Sequence, residues 1–364
     1  MTHQDSQTAG PVANTAWAEA LGFTVPIVCA PMGGAAGGQL AAAVSLAGGL
    51  GMIGMGSAGS TAALERELAA FERAIADDLA ARAPDPAHRH ESAAQAGAGR
   101  HHTHEPRARD PRDSAPFGIG MVDWGIAKHP DMFERALAAK PTLISVSFGN
   151  WKRGGPAPAW IEQARAIGVH TITQVATVDE ARAAADAGID ALVARGLEGG
   201  GHGDHAEPLA RLLDDVLTTV EIPVLAAGAV STSADVRRLL NAGAAAAWAG
   251  TSFAACEESL TPPAARAAMI AARGSGTLVS RVYDVALERP WPARFPERLI
   301  PTPFISEWQG REDELAANEA AKREFRAACE AGDFTVVPVD AGQGVDHVTR
   351  VRPAREVLRE LAGR

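Results

Sequence analysis

The chain has 364 residues, of which 46% are hydrophobic and 21% are charged, as in a typical folded globular protein. This length has room for one large domain and a smaller one. The net charge of −10 argues against nucleic acids and anionic membranes as partners. The three cysteines are scattered and give neither a disulfide framework nor a zinc-binding spacing. The polar N-terminus lacks an apolar signal core, so we expect a cytoplasmic protein without a membrane span.

Apolar, often β-branched runs alternate with helical runs over the first two thirds of the chain, a pattern that predicts parallel βαβ units. Eight strands are predicted, at residues 25–30, 51–55, 117–122, 142–147, 169–175, 191–194, 224–227 and 245–249. Helices are predicted between them, at residues 39–47, 62–81, 131–139, 159–167, 178–187, 208–219 and 233–241. Eight such repeats predict an α/β fold of the (β/α)8 TIM barrel type. A doubly wound open sheet is the alternative.

Composition sets the predicted domain limits. Residues 1–251 form the predicted barrel, interrupted at 83–116 by a segment rich in Ala, Pro, Gly, Arg and His. This segment has too few large apolar residues to bury a core, so we expect a flexible insertion; a metal site on its histidines is the alternative. Residues 252–331 are predicted to form a small helical domain over the barrel mouth. Residues 332–364 are predicted to return to the barrel, with the helix 353–362 closing it from outside.

A glycine-rich loop with one histidine follows the sixth predicted strand and reads GLEGGGHG from Gly196 to Gly203. Glycines let backbone N–H groups approach a ligand, and an imidazole exchanges protons near neutral pH. Because loops after barrel strands carry catalytic groups, the loop predicts a bound cofactor with His202 as a base above it. One alternative is a flexible turn with an incidental surface histidine. Another is a metal cluster of His202, Asp204 and His205.

Three other predicted strands end in small residues. The first ends in Ala30-Pro31-Met32-Gly33, which is either a ledge for a planar ring or a simple turn. The seventh ends in Ala226-Ala227-Gly228-Ala229, and the eighth ends in Ala249-Gly250-Thr251. Barrels often bind phosphate with the loops after strands seven and eight. The combination predicts a phosphorylated planar cofactor, most simply FMN.

Taken in chain order, these motifs resemble the nitronate monooxygenase family, formerly called 2-nitropropane dioxygenases. The resemblance covers nearly the whole chain outside the insertion and includes Ser147-Phe148-Gly149, Ile222-Pro223-Val224 and the late segment Ala341-Gly342-Gln343-Gly344-Val345. It implies a TIM barrel with bound FMN, a helical substrate domain and His202 as the catalytic base. The flavin contacts that it implies are Ala30, Pro31, Met32, Gly33, Gln174, Gly200, Gly201, Gly228, Ala229, Ala249, Gly250 and Thr251.

Four positions depart from the commoner pattern of this family. Gly120 or Met121 stands where a flavin-contacting asparagine is common, and Arg195 stands where a glutamine precedes the glycine loop. Ala229 replaces a second glycine after strand seven, and Trp248-Ala249 replaces Gln-Met before Gly250. We therefore expect flavin contacts that differ in detail from those of the family.

The activity that the resemblance implies is oxidation of a nitronate or nitroalkane by dioxygen to a carbonyl compound and nitrite, without a metal. His202 would remove the α-proton of a nitroalkane. An apolar cover containing Trp291 and Phe304 would suit a small alkyl substrate. The alternatives are an FMN-dependent enoyl-thioester reductase that uses NAD(P)H, and a non-catalytic flavin-binding barrel. The expected partners are a small-molecule substrate and dioxygen, and self-association into a homo-oligomer stays open.

Overall fold

The computed structural model describes residues 10–82 and 115–364, and eight parallel strands form a barrel within them. In chain order the barrel strands are Ile27–Cys29, Gly51–Gly54, Phe117–Val122, Leu143–Ser147, His170–Val175, Ala191–Arg195, Val224–Ala227 and Ala246–Ala249. The first strand pairs with the eighth, and the circle closes where Leu50 bridges the first and second strands. There the Leu50 N–H donates to Ile27 and the Cys29 N–H donates to Leu50, both at 3.0 Å. The predicted TIM barrel is confirmed.

The seven predicted barrel helices are all present, with ends shifted by a few residues. They are Gly38–Leu46, Thr61–Arg82, Pro130–Ala138, Ala159–Arg165, Val178–Asp186, Leu209–Leu217 and Ser233–Asn241. A short helix, Asp123–Lys128, follows the third strand, and another, Thr251–Ala254, follows the eighth. Gly168, Gly188 and Gly243 have φ values of 75°, 89° and 107°, which only glycine adopts without strain. These glycines explain why the preceding helices end where they do.

Side chains along each strand alternate between the barrel interior and the helix layer. Val28, Met52 and Leu143 belong to a buried interior cluster. Trp17 and Phe23, which meet edge to face at 5.7 Å, join this cluster from the segment before the first strand. Toward the carboxyl ends the inward positions become small or polar, as at Gly120, Ser147 and Gln174. The barrel interior is thus filled by large apolar side chains at one end and lined by small or polar residues at the other.

Residues 255–340, which we call the cover, lie between the eighth strand and the C-terminal segment. The helices of the cover are Pro263–Ala271, Val282–Ala286, Pro303–Trp308, Glu312–Ala317 and Glu319–Ala331. A small antiparallel sheet contains the cover strands Leu278–Ser280, Glu297–Ile300 and Val339–Asp340 together with Gly201–His202 from the glycine loop. The sequence does not predict this sheet, because alternation cannot be read over two to four residues. The predicted domain limits stay a prediction.

The C-terminal segment ends in a helix, Ala354–Leu361, that packs against Gly38–Leu46 and Ser233–Asn241 on the outside of the barrel. Its buried side chains include Val357 and Leu358. This agrees with the predicted helix at 353–362. The predicted insertion at 83–116 lies outside the described residues apart from its last two. Among the described helices, none is both long and apolar enough to cross a bilayer.

Candidate active site

The ledge after the first strand, from Ala30 to Gly33, crosses the ends of the second and third strands. A Cβ added at Gly120 would lie 2.2 Å from the Pro31 ring, and one added at Gly54 would lie 2.5 Å from the Pro31 carbonyl carbon. Pro31 therefore occupies the space that a side chain at position 120 would need. The close contacts at Gly54 and Gly120 hold the ledge in place. Gly33 is exposed, so its backbone is accessible to a ligand.

The loops after the seventh and eighth strands present backbone donors that lack protein acceptors. Gly228 and Ala229 have φ values of 143° and 49°, so consecutive residues lie outside ordinary strand geometry. Within the described residues, the N–H groups of Gly228, Ala229 and Gly250 donate no hydrogen bond. Thr251 Oγ1 accepts from the Gly342 N–H at 3.0 Å and keeps its own proton to donate. Backbone donors of this kind suit phosphate oxygens, so this part of the chain fits the phosphate of a flavin nucleotide.

Gln174 and Ala249, two other predicted flavin contacts, differ in the groups that they have free for binding. Gln174 points into the barrel, and its side-chain amide has no hydrogen-bond partner among the described residues. Ala249 packs its side chain in the helix layer, and its carbonyl accepts from the Ala30 N–H at 2.8 Å. Gln174 has a side chain free to bind a ligand, and Ala249 holds the ledge against the eighth strand. Both flavin contacts stay predictions.

Arg195, at the end of the sixth strand, holds the glycine loop from below. Its Nη2 donates to the carbonyl oxygens of Gly199, Gly200 and Gly201 at 3.2, 2.9 and 3.1 Å. Burial, with a smaller effect of Arg298, lowers the Arg195 pKa to about 10, so the guanidinium stays charged at neutral pH. A Cβ at Gly200 would lie 2.4 Å from the Gly342 nitrogen, so the late segment 341–345 closes over the loop. The loop is therefore fixed, which contradicts the alternative of a flexible turn.

His202 is held in one orientation by contacts with the cover. Its backbone pairs with Glu297 in the small sheet. The imidazole stacks on Trp291 with ring centroids 3.6 Å apart and an interplanar angle of 6°. Nε2 lies 2.8 Å from Asp284 Oδ2, whereas Nδ1 has no hydrogen-bond partner within the described residues. A carboxylate accepts, so we assign the proton to Nε2 and the free lone pair to Nδ1.

Three carboxyl groups surround this imidazole. Glu297 is fully buried, with Oε2 3.7 Å from His202 Nε2, and Asp284 is 4% exposed. Burial raises the pKa of Glu297 well above its ordinary value, and Asp340 and Asp284 raise it further. Burial also raises the pKa of Asp340. The side chain of Asp340 is exposed, although many protein atoms lie around it.

An aromatic wall adjoins His202 on the side of the cover. Trp291 meets Trp124 and Phe148 edge to face, with ring centroids 4.7 and 4.9 Å apart. Phe295 packs against Phe148 at 5.2 Å. The expected role of Trp291 next to the site agrees with this arrangement. Phe304 instead packs against Phe325 at 4.5 Å, inside the separate core of the cover.

The alternative metal cluster of His202, Asp204 and His205 does not form. His205 turns away, and its Nδ1 lies 3.1 Å from the Leu197 carbonyl oxygen. Among the described residues, the group of side chains close enough to share a metal ion is His202, Asp284 and Glu297. Sequence reasoning missed both carboxylates. One weak signal was available for Asp284, because it interrupts an apolar run, Val282 to Ala286, with a charge.

The comparisons with known proteins agree on one family and one fold. The sequence model of the family described as nitronate monooxygenase matches residues 14–363 of the chain. A nitronate monooxygenase of Pseudomonas aeruginosa is 30% identical over 356 residues, which cover 94% of this chain and 96% of that protein. The resemblance predicted from the motifs is confirmed.

Two solved structures are similar over nearly their whole length. The nitroalkane oxidase of Streptomyces ansochromogenes has a TM-score of 0.68 at 26% identity and covers 95% of this chain and 96% of its own. FabK of Thermotoga maritima has a TM-score of 0.71 at 24% identity and covers 96% and 95%. The second likeness shows the shared fold alone.

Proposed function

The chain belongs to the nitronate monooxygenase family, and from this premise we propose that it binds FMN and oxidises nitronates and nitroalkanes with dioxygen. The products would be a carbonyl compound and nitrite. The observation that carries the proposal is the state of His202. Its Nδ1 is free, while Nε2 donates to a buried carboxylate at 2.8 Å. This is the arrangement that a general base requires.

His202 would take the α-proton of a neutral nitroalkane on Nδ1. The imidazole would then be a cation with both nitrogens protonated, and the Asp284 carboxylate at 2.8 Å would stabilise that charge. Because Asp284 also fixes the ring orientation, it acts as a positioning residue. Stacking against Trp291 limits rotation of the ring further. A preformed nitronate has already lost its α-proton, so His202 would only help to bind it.

FMN would be held at the carboxyl ends of the strands. Backbone N–H groups of Gly228, Ala229 and Gly250 would bind its phosphate, and the Ala30–Gly33 ledge would support its ring. When bound, the flavin would accept two electrons and pass them to dioxygen. The aromatic wall of Trp124, Phe148, Trp291 and Phe295 would exclude water from the reacting groups.

The test is the identity of the cofactor and of its reductant. Denatured protein should release FMN and not FAD. Without oxygen, a nitronate such as ethyl nitronate should bleach the bound flavin within the time of a turnover, and NAD(P)H should not. Bleaching by NAD(P)H with consumption of an enoyl thioester would favour the reductase alternative. Bound FMN that no substrate reduces would favour the non-catalytic barrel.

A further inference from the structure

The carboxylates beside His202 outnumber the cations near them. Asp284, Glu297 and Asp340 lie together, and Arg289 approaches them with Nη1 3.9 Å from Asp284 Oδ1. Only Asp284 is used to orient the imidazole. Neither oxygen of Glu297 has a hydrogen-bond donor among the described residues, although this side chain is fully buried. A buried carboxyl group without a protein donor is costly, and either a proton or a bound cation can neutralise it.

The geometry of the cluster suits a metal ion. His202 Nε2 lies 2.8 Å from Asp284 Oδ2 and 3.7 Å from Glu297 Oε2, and one ligand atom from each residue lies within 4.8 Å of the other two. In a tetrahedral zinc site with bonds of about 2.0–2.1 Å, ligand atoms are about 3.3 Å apart. The separations involving His202 bracket this value. Asp340, whose side chain is exposed, offers a further oxygen.

We propose that His202, Asp284 and Glu297 form an inhibitory binding site for a divalent transition-metal ion, for which Zn²⁺ is the matching probe. A divalent cation that displaces the carboxyl protons would neutralise the two negative charges that three ionised carboxylates carry in excess of Arg289. Imidazole and carboxylate oxygen are ordinary zinc ligands. Two protons would neutralise the same charge, so zinc and protons compete for the site.

Metal binding would switch off the base through the tautomer of His202. To coordinate zinc, Nε2 must give up its proton, and a neutral imidazole then carries its proton on Nδ1. Nδ1 becomes a donor and no longer accepts the α-proton of a nitroalkane. This inhibition rests on the proposed function, whereas zinc binding itself does not.

The first experiment measures zinc bound to the full-length holoenzyme and to Glu297→Gln by equilibrium dialysis at micromolar free Zn²⁺. The variant keeps the shape of the side chain and removes a ligand charge. We expect it to bind one equivalent less than the parent. The histidines between residues 88 and 104 could hold zinc independently, so the difference between the two proteins is the quantity that decides. Equal zinc contents would overturn the proposal.

A second measurement uses the parent protein, so it still tests the proposal if Glu297→Gln fails to fold. In protein labelled with ¹⁵N-histidine, zinc should move the proton of His202 from Nε2 to Nδ1. The two ring nitrogens should then exchange their protonated and unprotonated chemical shifts. The signal is assigned by its loss in His202→Asn. Unchanged His202 shifts at zinc concentrations that saturate the protein would also overturn the site.

The last experiment distinguishes a failure of this proposal from a failure of the proposed function. Zinc should lower turnover of a neutral nitroalkane at least tenfold and affect a preformed nitronate less, and EDTA should reverse the effect. Zinc should lower the turnover of Glu297→Gln much less than that of the parent, with each rate taken relative to the same protein without zinc. Zinc bound at His202 without loss of nitroalkane turnover would overturn the inhibitory role. Absence of any nitroalkane turnover without zinc would refute the proposed function, while dialysis would still report on the site.

Discussion

The barrel loops and the cover contribute different kinds of groups to the candidate site. The barrel contributes backbone groups. These are the N–H groups of Gly228, Ala229 and Gly250, which have no acceptor among the described residues, and the turn at Pro31, which packs against the second and third strands. The cover offers side chains, chiefly Asp284 and the ring of Trp291. An N–H contact does not depend on the side chain, so Ala229 can offer the same donor as a glycine, although its φ of 49° lies in the left-handed region that favours glycine. Side-chain contacts do not, so the chemistry should be sensitive to the cover and cofactor binding to the barrel.

His202 stands where the two regions meet, and its loss should have the largest effect. His202→Ala should lower turnover of a neutral nitroalkane by roughly 10²–10⁴-fold, the range for a positioned general base. Flavin should stay bound, because its proposed contacts lie elsewhere. Turnover of the preformed nitronate should fall much less. The measurement is the steady-state kinetics of both substrates at several pH values.

A merely binding role for His202 would weaken both substrates together. Equal activity of variant and parent on the neutral nitroalkane would exclude it as the base. The flavin spectrum serves as the control for folding, since a variant that lost its flavin would report on the barrel and not on the base.

Substitution of Asp284 tests whether a side chain of the cover affects the rate of turnover. Asp284→Asn removes a charge-assisted hydrogen bond worth about 1.5–3 kcal/mol, so nitroalkane turnover should fall roughly 10- to 100-fold. The pH profile should shift as well, which a purely structural role would not cause. Asp313→Asn, at an exposed position of the cover, is the matched control and should behave as the parent. Unchanged turnover in Asp284→Asn would show that Nε2 needs no carboxylate.

The same contrast explains what could be predicted from the sequence. Barrel strands and helices repeat, and glycines such as Gly188 and Gly243 mark helix ends, so these elements follow from local patterns. The loop carrying His202 is recognisable for the same reason. Asp284 reaches His202 across 82 positions of the chain, through a cover whose strands are too short to show a period. The only local signal for that carboxylate is the short apolar run, Val282 to Ala286, that it interrupts.

The barrel side can be tested at Gly120. Gly120→Ala would place a Cβ 2.2 Å from the Pro31 ring, so the ledge must shift. Overpacking of this kind costs about 1–3 kcal/mol, and we expect the flavin dissociation constant to rise roughly tenfold while turnover of the loaded enzyme changes little. Gly276→Ala, with no atom within 4 Å of the added Cβ, is the control. Unchanged affinity would mean that the ledge does not support the flavin.

The smallest expected effect concerns the acid stability of the glycine loop. Burial, and next the charge of Arg195, lowers the His205 pKa to about 4, against about 6.5 in an unfolded chain. Below pH 6.5 the unfolded chain therefore binds a proton that the folded protein refuses, so stability is lost as the pH falls from 6.5 toward 4. Between pH 8 and pH 6 the free energy of unfolding should drop by about 1 kcal/mol from this group.

His205→Asn isolates that contribution, because the asparagine amide can replace the Nδ1–H donated to the Leu197 carbonyl. Urea unfolding of parent and variant at pH 8, 7 and 6 gives the difference in stability at each pH. The difference should shift in favour of the variant as the pH falls, since only the parent loses the histidine term. A difference that stays constant with pH would mean that His205 has the same pKa in the folded and unfolded chains. Neither burial nor the charge of Arg195 would then lower that pKa.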